Sequence, residues 1–251
     1  MAVVDLSQDA FGRALLDVYG GRSELPLILE RDDGWSGPAV QASFFFESYE
    51  AWPVWERRAI GLAEGSVLDL GAGGRHAVHL QERGHDVTTV DWSPGAVEVA
   101  RERGVRDARL ADVVSFEAER TWDTFLLMCG NLGIAGDWEP TRALLRRLAG
   151  MASDAAILIG DSVDPASDDP DDIVYERRNA DAGSHRGHVR LRLRYGETLS
   201  PWWEQLNVPP EDVAELVLGT GWQIRVHERD GEDHVVILRR AKVRDPADAG
   251  I

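Results

Sequence analysis

Two acids, each closing an apolar run, and a cluster of glycines between them mark where this chain could do chemistry. Val67-Leu68-Asp69-Leu70 leads into Gly71-Ala72-Gly73-Gly74, and about twenty residues later Val90-Asp91-Trp92-Ser93 closes a second apolar run. In a chain that alternates strand and helix, this spacing puts a ligand-binding turn after the first strand of a parallel sheet and an acid at the end of the second. Glycine at the turn lets backbone approach a ligand closely, and the second acid can accept both hydroxyls of a ribose. The implied ligand carries a nucleoside. Nicotinamide-binding turns read Gly-x-Gly-x-x-Gly, where the third glycine admits close helix packing. Here Gly71 and Gly73 fit, but His76 stands at the third position and Asp69 stands where an apolar residue is usual. A nicotinamide-dependent reductase fits these residues less well.

The elements that must hold these residues follow from periodicity. From Ser66 onward, strands read over 67–70, 87–91, 108–111, 124–128 and 155–161, and helices over 75–83, 94–103 and 140–150. Ser93 and Pro94 form an N-cap and first-turn pair, and Gly84 and Gly104 stand where helix C-termini turn left-handed. This rhythm predicts a doubly wound parallel sheet. Upstream come a helix over 6–18, a turn-rich stretch over 20–38 and an aromatic, partly helical stretch over 43–62. Downstream come an acidic loop over 161–172, strands over 173–178 and 188–195, a helix over 209–218, and a hairpin of 222–228 with 234–239 around Asp230-Gly231. In the 188–195 strand, Val189, Leu191, Leu193 and Tyr195 alternate with Arg190, Arg192 and Arg194. The arginines read as an exposed positive stripe paired with local acids.

Composition narrows the classes. The chain has 251 residues, 43% of them apolar, and nine tryptophans, enough for one large α/β domain with a small cap. Acids outnumber Lys and Arg by 44 to 27, a formal charge of −17, which repels phosphate backbones and anionic lipid. No nucleic-acid or membrane partner is expected. No run of 18 or more apolar residues is present, and the start of the chain lacks a basic-then-apolar leader. A single cysteine, Cys129, leaves no internal disulfide. The expected location is the cytoplasm, as a monomer or homodimer.

Asp69-Leu70-Gly71-Ala72-Gly73 resembles the first motif of class I S-adenosylmethionine-dependent methyltransferases, and the resemblance continues in order. Asp91 matches the acid that holds the ribose hydroxyls, Trp92 the neighbour that flanks the adenine, and Asp112 the acid that receives the adenine amino group. Trp122–Cys129 matches the fourth strand, and the terminal hairpin suits that family's seven-stranded sheet. A wider resemblance is to bacterial methyltransferases of undefined substrate, through Glu30-Arg31-Asp32-Asp33-Gly34, Tyr49–Pro53 and Gly74-Arg75-His76-Ala77. The chain departs from the family at Gly73-Gly74, which are adjacent where many members have a spacer.

The resemblance implies an α/β fold: a Rossmann-like, seven-stranded, mostly parallel sheet with helices on both faces, an N-terminal helical addition and a β-containing insertion after the fifth strand. The implied division is an N-terminal helical and aromatic cap over 1–62, a methyltransferase domain over 63–242 with the insertion at 162–207, and a flexible tail over 243–251. The implied cofactor is S-adenosylmethionine, with S-adenosylhomocysteine as product. Its expected contacts are Asp69, Gly71, Ala72, Gly73, Gly74, Asp91, Trp92, Asp112, Val113, Cys129, Gly130 and Asn131. The implied reaction is methyl transfer to an O, N or C atom of a small molecule; the alternative is a catalytically silent module that binds the cofactor, or a partner subunit.

Methyl transfer needs in-line alignment and about 3 Å approach, so positioning can supply most of the rate. A base is needed only where the acceptor atom holds a proton. The catalytic candidates are Asn131, at the end of the fourth strand, His76 and His185. Cys129 reads as a packed wall residue rather than a nucleophile. His185 and His188 read as a solvated loop, and His79, His85, His227 and His234 as surface or strand-end residues. No metal site is expected. Tyr49, Trp202 and Trp203 are the substrate-pocket candidates, Tyr49 because its hydroxyl sits on an apolar face. Phe44–Phe46 read as core between cap and sheet.

Overall fold

Short apolar runs bounded by glycine build the centre of the molecule. In the computed structural model, which describes residues 3–22, 25–166 and 168–241, the elements run α1 (Ala10–Tyr19), β1 (Leu27–Arg31), α2 (Val54–Ile60), β2 (Ser66–Leu70), α3 (Arg75–Glu82), β3 (Asp86–Asp91), α4 (Pro94–Glu102), β4 (Asp107–Leu110), β5 (Trp122–Leu127), α5 (Trp138–Gly150), β6 (Ala152–Val163), α6 (Pro170–Asp181), β7 (His188–Tyr195), β8 (Thr198–Leu199), β9 (Trp203–Leu206), α7 (Val213–Val217), β10 (Trp222–Asp230) and β11 (Asp233–Arg240). The tail expected over 243–251 lies outside the described residues. Among these residues no helix is long and apolar enough to cross a membrane.

Seven strands form the large sheet in the order β10-β11-β6-β5-β2-β3-β4. From β4 to β6 all neighbours are parallel, and β11 enters antiparallel between β6 and β10. Both faces are covered, so strand periodicity sorts the core into two layers. Leu68, Phe125, Leu158 and Val236 pack with Leu144 and Leu148 of α5 and Leu216 of α7. Val67, Leu126, Ile159 and Val235 pack on the other face with Ile60 of α2 and Leu80 of α3. β2 is central, and the crevice where its connections diverge opens at its carboxyl end.

A second, antiparallel sheet has β7 between β1 and β8, with β9 also on β7. It joins the segment before the glycine turn to the insertion after β6, residue against residue: Leu29 opposite Leu193, and Glu30 opposite Arg192. Three sequence expectations are corrected here. The stretch read as turn-rich, 20–38, contains β1. Residues 173–178, read as a strand, lie in α6, because Asp169 caps the helix by accepting from Asp171 N–H and Pro170 sets its first turn. The acidic loop therefore ends at 169. β9 was not anticipated.

One carboxylate ties the N-terminal segment to the large sheet. Asp9 accepts from Gly12 N–H at 2.9 Å, from Gly95 N–H at 2.8 Å and from Ser93 Oγ at 2.7 Å. It thus serves the N-termini of both α1 and α4, where free N–H groups and the helix dipoles favour negative charge. The helices cross on glycines: a Cβ on Gly95 would stand 2.7 Å from the Gly12 backbone. This contact carries Phe11 of α1 to the crevice. Gly95→Val should overpack the crossing by about 1–3 kcal/mol, which for a chain of this size lowers the melting temperature by roughly 2–12 °C. Gly150→Ala, where nothing lies within 4 Å, should stay within about 2 °C of the parent. Equal melting temperatures for the two variants would refute the tight crossing.

Candidate functional site

Of the expected cofactor residues, Gly71, Asp91, Trp92, Cys129, Gly130 and Asn131 gather at the carboxyl ends of β2, β3 and β5. The shortened glycine turn folds by putting two successive residues in the left-handed region, Gly73 at φ +60° and Gly74 at φ +76°, so that α3 starts directly at Arg75. The missing spacer is absorbed in backbone conformation that other residues adopt only with strain. Gly73 N–H points to the Asp91 carboxylate at 3.4 Å, and Ser93 N–H donates to it at 2.9 Å. Gly71 N–H donates to Val90 O at 2.8 Å, closing the turn onto β3.

A cavity of about 390 Å³ starts here. Gly71, Asp91, Trp92, Cys129, Gly130 and Asn131 line one end. Leu29, Leu191, Leu193 and Trp203 of the small sheet line the other, with Phe11 and Phe45 between. Trp92 and Trp203 meet edge to face at 6.1 Å, one from each sheet. Asn131 Nδ2 donates to Leu70 O at 3.2 Å, locking the loop after β5 to the end of β2. Cys129 holds a left-handed φ of +64° and is exposed, its side chain on the cavity wall rather than packed away from it. Next to it, Gly130 is gripped from both sides: its N–H donates to Asp161 at 2.9 Å and its carbonyl accepts from Gln205 Nε2 at 2.6 Å.

The sheet ends are electronegative. Asp69 is fully buried, and burial together with the nearby Asp91 pushes its pKa up to about 8. Thr89 Oγ1 donates to one oxygen at 3.4 Å, while Oδ1 has no hydrogen-bond partner. Burial also lifts Asp91 to about 6 and Asp161 to about 7. Among the described residues, no lysine, arginine or histidine bonds any of the three.

Other expected site residues lie elsewhere. Asp112 stands at the end of β4 and accepts from Val114 N–H at 2.9 Å, and Val113 is buried in the core behind it. His76 is wholly buried and outside the cavity lining. Its Nε2 meets Glu56 Oε1 at 2.8 Å, and since a carboxylate only accepts, Nε2 carries the proton. Burial keeps the ring neutral. Arg75 bonds the same Glu56 at 3.0 Å and the Phe44 carbonyl. Burial pushes Glu56 up, but bonds from His76 and Arg75 prevail and hold it below its usual range. This triad fastens α2 to α3.

His185 is also away from the cavity. It stacks on Trp138 at 4.8 Å with Nε2 3.2 Å from Asp212, so it is not the solvated loop residue expected. Tyr49 does not reach the cavity: its ring stacks on His79 at 4.2 Å and its hydroxyl donates to Arg57 O at 3.3 Å. Trp202 faces outward beneath Arg192, 4.5 Å away. His234 is at a strand end but buried, with Nε2 donating to Val208 O at 2.7 Å. Among the described residues no group of His, Cys, Asp and Glu is placed to hold a metal ion.

Comparison with known proteins places this geometry. A family model described as a methyltransferase domain matches residues 68–128. No curated protein matches the sequence significantly. Among solved structures, a SAM-dependent methyltransferase from Bacteroides fragilis in complex with S-adenosyl-L-homocysteine is 25% identical, with 96% of this chain and 98% of that chain covered and a TM-score of 0.82. The CcbJ methyltransferase from Streptomyces caelestis is 14% identical over 94% of this chain and 99% of that one, at a TM-score of 0.61. The sugar N-methyltransferase KedS8 from a Streptoalloteichus species is 17% identical over 83% and 96%, at 0.53. Residues 68–128 thus match a methyltransferase domain, and the chain has the fold of S-adenosylmethionine-dependent methyltransferases.

The buried acids fit a cationic cofactor such as S-adenosylmethionine, since Asp91 lies in the cavity wall and Asp69 and Asp161 directly behind it, and among the described residues none of them has a cationic partner of its own. The unfolded chain ionises Asp69 near 3.8 and the folded cofactor-free protein only near 8, so stability falls as pH rises between these values and is constant above them. Asp69→Asn should raise the melting temperature of the cofactor-free protein at pH 8 by at least about 2–4 °C, with a smaller gain at pH 5. A pH-independent change, or a loss at pH 8, would contradict this assignment.

Proposed function

We propose that the chain moves a methyl group from S-adenosylmethionine to a small-molecule acceptor enclosed between the two sheets. The observation that carries this is the continuity of one cavity from Asp91 and Trp92, at the ends of the large sheet, to Leu191, Leu193 and Trp203 of the small one. In this reading residues 1–62 and 162–207 form the cap of a methyltransferase domain over 63–242. The formal charge of −17 favours a small molecule over a nucleic acid.

Asp91 would accept the ribose hydroxyls, Asp69 would face the cationic end, and Gly71, Ala72, Gly73 and Gly74 would give the backbone room. Trp92, Asp112 and Val113 would flank the adenine, and Cys129, Gly130 and Asn131 would form the wall beside the methyl. When bound, the cofactor supplies a sulfonium methyl, which an acceptor lone pair takes as the carbon–sulfur bond breaks. The chain's own contribution is alignment and the exclusion of water. Asp161 and Gln205 hold Gly130 through its N–H and its carbonyl, and Asn131 holds the loop to β2. His76 and His185 stand outside the cavity, so neither serves as a base to an acceptor in it.

Titration calorimetry with S-adenosylhomocysteine tests the cofactor half. Asp91→Ala should weaken binding by about 1–3 kcal/mol, or roughly 5- to 150-fold, because it strands the ligand groups it would satisfy. Unchanged affinity would sink the assignment. Formation of S-adenosylhomocysteine from S-adenosylmethionine in the presence of an acceptor separates an enzyme from a silent binding module.

A further inference from the structure

Resting on that reading, we propose that the acceptor is an uncharged molecule with an apolar body, selected by the inner face of the small sheet. β1 and β7 each present alternate residues to the cavity, and those residues are Leu27, Leu29, Leu191 and Leu193. The intervening residues point the other way. Arg192 and Arg194 donate to Glu30 at 2.8 and 2.6 Å, and Arg190 and Arg192 lie over Trp202 at 5.6 and 4.5 Å. The positive stripe of β7 is thus turned outward and matched by Glu30 and Trp202.

Among the described residues lining the cavity, none is lysine, arginine or histidine. The single charged group is Asp91, at the cofactor end. The other polar side chains are Asn131, Gln205, Asn207 and Cys129. A carboxylate or phosphate moved from water into this wall would lose hydration that nothing replaces. A cation at the leucine end would meet no acid there. A neutral ring or aliphatic body gains from the leucines and from the face of Trp203. Its polar groups can be met by Asn207 and by free capacity on the other amides.

Three isosteric probes test this: p-cresol, p-toluate and 4-methylbenzylammonium. Binding of each is measured by saturation-transfer NMR and titration, in the protein alone and with S-adenosylhomocysteine bound. p-Cresol should bind at least about tenfold more tightly than either ion. Asn207→Arg should narrow or reverse the preference for p-cresol over p-toluate, and Leu193→Arg should do the same if it folds. Equal or tighter binding of an ion by the parent protein, or no binding of p-cresol, overturns the proposal. S-adenosylhomocysteine binding is read separately, so its loss would sink the cofactor assignment while the charge preference is still measured in the protein alone.

Discussion

The pairing of β1 with β7 is the contact on which the cavity depends. It joins residues about 160 positions apart, Leu27 opposite Tyr195 through Arg31 opposite Leu191. Closing so long a loop is entropically expensive, and a short ladder of backbone bonds does not secure it alone. The outer face adds Glu30, which accepts from both Arg192 and Arg194 and is itself mostly buried. The inner face adds leucine contacts. Without this pairing the carboxyl end of the large sheet would have no roof, and the crevice at β2 would open to water.

The floor of the same cavity, and the layer just behind it, is built against stability. Asp91 ends β3 in the cavity wall, and Asp69 and Asp161 lie buried near the ends of β2 and β6, where burial disfavours their charged forms. A fold selected only for stability would place apolar groups or arginines there. Holding unmatched acids at the mouth of a sheet is the arrangement that makes binding of a cation favourable, because the ligand relieves a desolvation penalty already present. The burden is offset close by. Asp9, also an acid and also buried, is fully bonded to two helix N-termini and a serine, and it anchors α1 beside the strained region.

Local signals were legible in the sequence and distant partners were not. β2 and β3 begin within one residue of expectation and end as expected, since each is an apolar run stopped by an acid or glycine. The seven-stranded, mostly parallel sheet followed from the family resemblance, while its strand order is read from the structure. β1 escaped because Leu27–Arg31 sits among turn residues and becomes a strand only through its partner in β7. Ile173-Val174-Tyr175 has strand-like composition, yet the Asp169-Pro170 start overrides it, and Tyr175 and Asn179, four apart, form the buried stripe of α6. His76 looked available for chemistry because Glu56, its partner, lies twenty residues away. Tyr49 failed for a similar reason: Arg57 O takes the hydroxyl that made it attractive. Gln205 and Asn207, which do line the cavity, carry no pattern that marks them.

The segment Glu30-Arg31-Asp32-Asp33-Gly34, part of the family resemblance, finds its explanation in how the small sheet is held to β7 on one face and to α6 on the other. Arg31 bonds Asp33 at 3.0 Å and Asp172 of α6 at 2.7 Å, and its guanidinium stacks 4.3 Å over Tyr175. Asp32 accepts from the Tyr175 hydroxyl at 2.8 Å and from Arg178 at 2.9 Å. Glu30 holds β7 on the outer face while Arg31 and Asp32 hold α6, whose Tyr175 packs on the leucine face, so the motif clamps the insertion to the N-terminal strand from both sides. Isolated surface pairs contribute little, but here they share partners around a mostly buried arginine, and a network of this kind resists the loss of any one member. Strand alternation puts Glu30 on the outer face and Leu27, Leu29 and Arg31 on the inner one. Along that inner face Arg31 and Tyr175 close one end, and Leu27, Leu29, Leu191 and Leu193 are left to meet whatever lies beneath them.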